Sequence, residues 1–486
     1  MGKGPVMVGR QWQSRRDVSR AIGAGVALAA LPATARAVGG TRPATLIPLP
    51  DAERRAALAW QVGDAGYRVD EYIVEGLADI LESVSMADAV DMSKRDLAAD
   101  AANRDFRNRV VRADRPYRSR ILVYRPRDPG RYSGTTFCEV LHPEEGGKAI
   151  LWEQLNPSVI ARGDAFVSIQ PPFSIPGIVA LDPARYADLH AEHPTQLWGL
   201  IADVARATRR PDGPLSPTAS TRQFLCGYSY TGVATADFAN YHHAGARDAR
   251  GRPLIDGYLP MASHSYVRPL GVPVIRVNTQ SDFRDRSAVS SDVPDGDAPG
   301  HKTRRYELAG CAHIVVPPTA GAVRPPKRLA ERGLGLPALD TKRCSAGFPP
   351  GSRPNDYPQR AALEAIAAAM IGWVKDGRTP PRAPRIAIGA GGDTRLDRFG
   401  NAEGGLRLPT VSAPIATYGM NPSEDVCGLY GYTLDFSPEM KRTLYGDRAR
   451  YTAAVAATAQ RLLAQGFLLD SGVAALVDRA RAGADF

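Results

Sequence analysis

Three residues of this chain follow one another in an order that could make a hydroxyl nucleophilic. Ser229 lies in Gln-Phe-Leu-Cys-Gly-Tyr-Ser-Tyr-Thr-Gly, residues 223–232. Asp282 follows Gln280-Ser281, and His313 closes Ala-Gly-Cys-Ala-His, residues 309–313. A serine hydroxyl is a poor nucleophile at neutral pH. It needs a base within hydrogen-bond reach, and an imidazole base needs a carboxylate to fix its tautomer. The chemistry implied is attack on an acyl carbon through a covalent intermediate, with Ser229 as nucleophile, His313 as base and Asp282 as the orienting acid.

Rivals exist for two of these places. Asp285 and Asp256 are alternatives for the acid, and His142 is the competing base. Histidines 190, 193, 264 and 301 default to surface or structural roles, and the adjacent His242-His243 pair reads as surface residues on different faces of a helix. The tetrahedral oxyanion of acyl transfer needs two N–H donors. Tyr230 would supply one. The second should come from the loop after the apolar run 135–141, where His142 or Leu141 can donate and Pro143, which lacks an N–H, cannot. Glu144 and Glu145 in that loop read as solvated charges or as lining of a pocket entrance. Tyr228 and Tyr230 flank the serine and read as walls of an acyl site or as packing.

The elements that must position these residues alternate between strand and helix. Residues 67–80 and 117–124 read as strands with apolar alternation. Residues 135–141 and 164–170 are continuous apolar runs of the kind that strands buried on both faces require. A helical spacing of Leu197, Ile201 and Val204 follows within 194–210. The strand and turn at 223–232 lead into a helix from Val233 to about His242. Strands are then expected at 255–261, 272–279 and 304–308. Apolar strands alternating with helices imply a mostly parallel sheet covered on both faces. In such a sheet the carboxyl ends of the strands share one edge, so loops carrying Ser229, Asp282 and His313 can converge.

Certain stretches carry a family resemblance. They are Pro116-Tyr117-Arg118-Ser119-Arg120-Ile121-Leu122-Val123-Tyr124-Arg125-Pro126, Asp182-Pro183-Ala184-Arg185-Tyr186, Gly227-Tyr228-Ser229-Tyr230-Thr231-Gly232, Ala309-Gly310-Cys311-Ala312-His313, and Gly400-Asn401-Ala402-Glu403-Gly404-Gly405-Leu406-Arg407. The chain resembles the large family of alpha/beta hydrolase domain proteins, over about residues 65–480. The family's serine turn is similar to Gly-x-Ser-Gln-Ser-Gly, which accounts for a hydroxyl at Thr231. Tyr230 replaces the usual glutamine, and His142 stands where an asparagine is expected. The resemblance implies an α/β-hydrolase fold, serine hydrolase chemistry and no cofactor or metal. The expected reaction is hydrolysis of a carboxylic ester, on a small molecule or a polymer. An amidase or peptidase on the same triad, or a non-catalytic binder retaining the fold, is the alternative.

The 486 residues are 44% hydrophobic and 23% charged, an ordinary globular balance. Residues 1–37 read as an export signal of the twin-arginine (Tat) type: Ser14-Arg15-Arg16-Asp17-Val18-Ser19-Arg20, an apolar run over 21–31, and Ala35-Arg36-Ala37 as a cut site. Eleven apolar residues fall well short of the ~20 that span a bilayer. Removing this segment takes away six Lys/Arg and one Asp and leaves about +5 of the chain's net charge of +10. That is too mild to argue for nucleic acid. The expected location is periplasmic or secreted. Residues 38–64 read as an irregular entry, and 65–486 as the hydrolase domain. The domain includes a Pro-, Gly- and Arg-rich excursion over 314–356, a helix over 357–376, a loop-rich stretch over 382–436 and C-terminal helices over 438–484. Of five cysteines, Cys138 and Cys226 read as buried thiols. A disulfide between Cys344 and Cys427 is plausible in an oxidising compartment. No Cys-x-x-Cys or His-Glu-x-x-His pattern occurs.

Overall fold

The structure, a computed structural model, describes residues 42–82, 109–143, 146–263, 265–284, 293–316, 323–326, 341–423 and 425–483, with Val38 and Gly40. The proposed signal segment, residues 83–108, most of 317–340, and Glu144, Glu145, His264 and Asp285 lie outside the described residues.

One large sheet organises the fold. Its strands are β1 (Thr45–Leu49), β2 (Tyr67–Leu81), β3 (Val110–Pro126), β4 (Thr135–Val140), β5 (Ala165–Ile169), β6 (His190–Ala191), β7 (Arg222–Tyr228), β8 (Gly257–Met261), β9 (Val274–Thr279), β10 (Gly296–Ala298) and β11 (His301–Leu308). They lie in the order β1-β2-β3-β5-β4-β7-β8-β9-β11-β10, with β6 beside β3. From β5 through β11 neighbours run parallel, while β1, β2, β3 and β10 pair antiparallel at the two sides. The sheet is thus mixed and mostly parallel at its centre, as the apolar runs imply.

Alternate side chains of the central strands enter two separate cores, as a strand's period of two dictates. Leu122, Tyr124, Phe137, Phe224 and Cys226 join one. Ile121, Val123, Cys138 and Leu225 join the other. Helices α1 (Ile150–Arg162) and α4 (Gln359–Asp376) cover the first face; α2 (Leu197–Thr208) and α3 (Tyr230–Asp237) cover the second. The C-terminal helices α5 (Arg448–Ala464) and α6 (Asp470–Ala482) bring Tyr451, Val455 and Leu476 into the first core, alongside Met370 and Trp373 of α4. A second, small sheet is formed by β12 (Arg353–Pro354), β14 (Gly431–Asp435) and β13 (Ala416–Met420).

Two expectations are corrected. The entry segment is not wholly irregular: 45–49 is an edge strand paired with β2. Pro48 hid it, because proline is tolerated in a sheet only where the N–H is not needed, as on an edge. His242 and His243 are not surface residues; they are 4% and 5% exposed. The helix that starts at Tyr230 continues through a π-turn, Phe238–His242, into the core. There the His242 ring stacks on Trp198 at 4.9 Å, and His243 Nδ1 lies 2.9 Å from the Tyr258 hydroxyl. Burial pushes their pKa values down to about 3 and about 4, keeping both neutral.

The disulfide between Cys344 and Cys427 is formed, and Cys138, Cys226 and Cys311 are buried free thiols. Among the described residues, no helix is long and apolar enough to cross a membrane.

Candidate active site

Strand β7 ends at Tyr228 and helix α3 begins at Tyr230, so a single residue makes the corner. That residue, Ser229, has φ 57° and ψ −123°, a backbone setting that a side chain other than glycine adopts only under constraint. The constraint is close packing. A Cβ at Gly227 would sit 2.1 Å from the Thr231 carbonyl oxygen, and one at Gly232 would sit 2.4 Å from the Met261 carbonyl oxygen. Only glycine lets strand, helix and the neighbouring β8 approach this tightly. Ser229 N–H donates to the Met261 carbonyl at 2.9 Å, and the Ser229 carbonyl accepts from Val233 N–H at 3.1 Å. Thr231 closes the corner: its hydroxyl accepts from Tyr228 N–H at 3.2 Å and donates to the Tyr228 carbonyl at 3.1 Å. A hydroxyl residue there is a brace for the turn.

Parallel pairing of β7, β8, β9 and β11 puts their carboxyl ends on one edge. Asp282 stands three residues beyond β9, and His313 five beyond β11. At that edge His313 Nε2 is 2.7 Å from Ser229 Oγ, and His313 Nδ1 is 2.8 Å from Asp282 Oδ1. The other carboxylate oxygen of Asp282 accepts from Thr279 N–H at 2.7 Å. Asp282 is 2% exposed and His313 9%, whereas Ser229 is half-buried, at the mouth. The hydroxyl is therefore the part of the constellation that solvent or a ligand reaches.

The loops are fixed by contacts that sequence reading did not assign. Ser281 Oγ accepts from the His313 N–H at 2.6 Å. Gln280 is tied at both ends, its N–H to the Cys311 carbonyl at 2.8 Å and its Oε1 to Gly310 N–H at 2.7 Å. Tyr228 is buried, and its hydroxyl donates to the His313 carbonyl at 2.8 Å, so it props the histidine loop instead of walling an acyl site. Burial raises its pKa well above that of a free tyrosine and keeps it a donor. The one sequence signal for these props was their place: polar residues crowded against the ends of apolar strands. Tyr230, half-buried, packs its ring edge-on against Phe173 at 4.9 Å.

The competing residues lie elsewhere. Asp256 precedes β8, so it occupies the opposite edge of the sheet, where it pairs with Arg209 at 2.7 Å. His142 does follow β4 on the correct edge, but His313 is the imidazole on the serine. Burial, with the charges of Lys148 and His313 behind it, pushes the His142 pKa down to about 3. The expectation that His142 or Leu141 offers a main-chain donor is corrected. Leu141 N–H donates to the Ile169 carbonyl and His142 N–H to the Lys148 carbonyl, both at 2.9 Å. Both atoms belong to the sheet edge. Tyr230 N–H opens helix α3, where the first N–H groups have no carbonyl within the helix to meet. Among the described residues, no group of three or more His, Cys, Asp or Glu could hold a metal ion.

A family model described as "Alpha/beta hydrolase domain" matches residues 34–478. No curated protein matches the chain. Among solved structures, the chain is similar to a candidate dienelactone hydrolase from Klebsiella pneumoniae subsp. pneumoniae MGH 78578, at 12% identity and a TM-score of 0.26, over 39% of this chain and 79% of that one. It is also similar to XC6422 from Xanthomonas campestris, described as an a/b serine hydrolase without lid, at 12% identity and a TM-score of 0.25, over 39% of this chain and 78% of that one. Neither likeness carries the assignment; the family match over almost the whole described chain does. With its mostly parallel sheet, its covering helices and that match, the chain belongs to the alpha/beta hydrolase domain family.

Proposed function

We propose that this hydrolase cleaves carboxylic esters through an acyl-enzyme, with Ser229 as nucleophile, His313 as general base and acid, and Asp282 as the group that orients the imidazole. The observation that carries this reading is the unbroken line from Ser229 Oγ to His313 Nε2 at 2.7 Å and from His313 Nδ1 to Asp282 Oδ1 at 2.8 Å. In that geometry Nδ1–H donates to the carboxylate, which leaves the Nε2 lone pair facing the hydroxyl. As Ser229 Oγ attacks the ester carbon, His313 takes its proton. The negative charge that develops on the carbonyl oxygen is met by Tyr230 N–H and the positive end of helix α3. Collapse breaks the C–O bond to the alcohol, and His313 returns the proton to the leaving oxygen. Water, deprotonated by the same imidazole, then releases the acid and restores Ser229.

The test is Ser229→Ala. Turnover of short acyl esters such as p-nitrophenyl acetate should vanish, while the melting temperature stays near that of the parent. Undiminished esterase activity in that variant ends the reading. Export through the signal-like segment 1–37 to a periplasmic or extracellular location is part of the same proposal. The Cys344–Cys427 disulfide supports it, since such bonds persist in oxidising compartments.

A further inference from the structure

Two of the sequence stretches that carried the family resemblance have no part in the triad, yet they meet in the fold. Arg120, from the Pro-Tyr-Arg-Ser-Arg stretch, and Arg185 with Tyr186, from the Asp-Pro-Ala-Arg-Tyr stretch, all converge on Glu71 of β2. Arg120 Nη1 lies 2.8 Å from Glu71 Oε1, Arg185 Nε donates to Glu71 Oε2 at 2.8 Å, and the Tyr186 hydroxyl donates to Glu71 Oε1 at 2.7 Å. Glu71 and Arg120 are 1% and 0% exposed. A buried ion cluster this fully bonded is a poor source of stability for its size, but it is rigid.

The cluster does not stop there. Arg120 Nε donates to the side-chain oxygen of Gln170 at 3.2 Å, which fixes which end of that amide is the oxygen. The amide nitrogen of Gln170 is then left to donate to the Gly146 carbonyl at 2.8 Å and to Ser174 Oγ at 2.7 Å. Gln170 itself is fully buried and held by its main chain: its N–H donates to the Arg120 carbonyl, and its own carbonyl accepts from Ser119 Oγ. The loop it grips is equally confined. Gly146 and Gly147 have φ of 86° and 134°. A Cβ on Gly146 would lie 2.8 Å from the main chain of Gly177, and one on Gly147 would lie 2.9 Å from Gln170 Oε1.

Gln170 follows β5, and β5 flanks β4 on the side away from β7. Its grip therefore holds the Gly146 carbonyl against the Gln170 side chain. The Gly146–Gly147 peptide is trans, and in a planar trans peptide the N–H points opposite to the C=O. The Gly147 N–H is thus turned away from Gln170, in a loop that Lys148 ties back to His142 beyond the end of β4, the strand that runs parallel beside β7. Among the described residues it is donated to no protein acceptor. We propose that Gly147 N–H is the second oxyanion donor and that Gln170, clamped to the Glu71–Arg120 cluster, is the positioning residue that aims it. This rests on the ester-hydrolase reading above, and it assigns the donor that the His142 main chain does not supply.

Gln170→Glu tests it. A carboxylate keeps an acceptor for Arg120 but cannot donate to the Gly146 carbonyl. Gln170→Met, similar in shape and without polar atoms, is the second variant should the first fail to fold. Removing an oxyanion donor lowers kcat by about 10²–10³-fold, so mis-aiming one should lower it by at least about tenfold. The expected result is that loss in kcat on p-nitrophenyl acetate, with KM within about twofold of the parent and an unchanged circular dichroism spectrum. Fluorophosphonate labelling of Ser229 should slow in parallel, because the phosphonyl oxygen occupies the same hole. If the parent is labelled and a folded Gln170 variant retains the parent's kcat, the positioning role is overturned and the triad reading stands. A rise in KM with kcat unchanged also overturns it. If the parent itself is neither labelled nor active, the hydrolase reading fails, and this inference with it.

Discussion

Replacing Asp282 by Asn asks the most of the proposed triad, because the structure dictates which way the new amide must turn. Both carboxylate oxygens of Asp282 face N–H donors: His313 Nδ1 at 2.8 Å and Thr279 N at 2.7 Å. An asparagine has one acceptor to offer and must turn its NH2 to the other partner. Thr279 N–H belongs to the main chain and cannot become an acceptor; pointing NH2 at it would leave two buried donors facing each other, at about 1–3 kcal/mol. The imidazole can adapt, by moving its proton. The substituted amide would therefore keep its oxygen on Thr279 and present NH2 to Nδ1, which must then accept, so that Nε2 carries the proton. That tautomer has no lone pair for Ser229. In serine–histidine–aspartate sites this exchange drops kcat by about 10⁴-fold, equivalent to about 5 kcal/mol on the barrier. The assay is steady-state hydrolysis of p-nitrophenyl acetate by Asp282→Asn, with the melting temperature as a check on the fold. We expect kcat to fall by about four decades, KM to change little, and the melting temperature to stay close to the parent's because the Thr279 contact survives. A kcat within tenfold of the parent, in a protein whose Ser229→Ala form is dead, would refute the tautomer argument and Asp282 with it.

Two further outcomes follow from burial. His242 is held neutral, with a pKa of about 3 in the fold against 6.5 for the free side chain. The unfolded chain therefore binds its proton first. This stability is complete above pH 6.5 and is lost as pH falls toward 3, by about 2 kcal/mol at pH 5. His242→Phe, which keeps the stack on Trp198, should flatten the fall in melting temperature between pH 6.5 and 5, and an identical slope in both proteins would contradict this. Gly232→Ala should lower melting temperature and esterase activity together, since its Cβ would meet the Met261 carbonyl oxygen at 2.4 Å and the Gly227 carbonyl oxygen at 3.1 Å. Overpacking of this kind is worth about 1–3 kcal/mol; a variant melting within a degree of the parent would show that the corner has room.

What the sequence made legible was whatever depends on neighbours in the chain. Continuous apolar runs marked β4 and β5, and the order of polar residues after three of the strands brought Ser229, Asp282 and His313 to one edge. What it hid depends on partners far along the chain. His242 and His243 looked polar and hence exposed; nothing local announces that Trp198 and Tyr258 will close over them. Ser281 and Tyr228 became props of the histidine loop only once β11 lay beside β9 and the chain after it crossed back over β7. The second oxyanion donor was sought at His142 or Leu141 because the loop after the strand begins there. The His142 N–H went to Lys148, a hairpin pairing that residue spacing alone did not reveal.

The placement of α5 and α6 bears on how the polypeptide can be made. Tyr451, Val455, Phe467 and Leu476 fill the same core as Phe224 of β7 and Ile275 of β9. That face of the sheet stays only partly covered, by α1 and α4, on a ribosome-bound chain until residues near 476 have left the exit tunnel. Maturation is accordingly a late, concerted event: the strands that carry Ser229 and Asp282 are synthesised long before the wall behind them is complete, and the nascent protein must be kept from aggregating through its unsealed side in the interval.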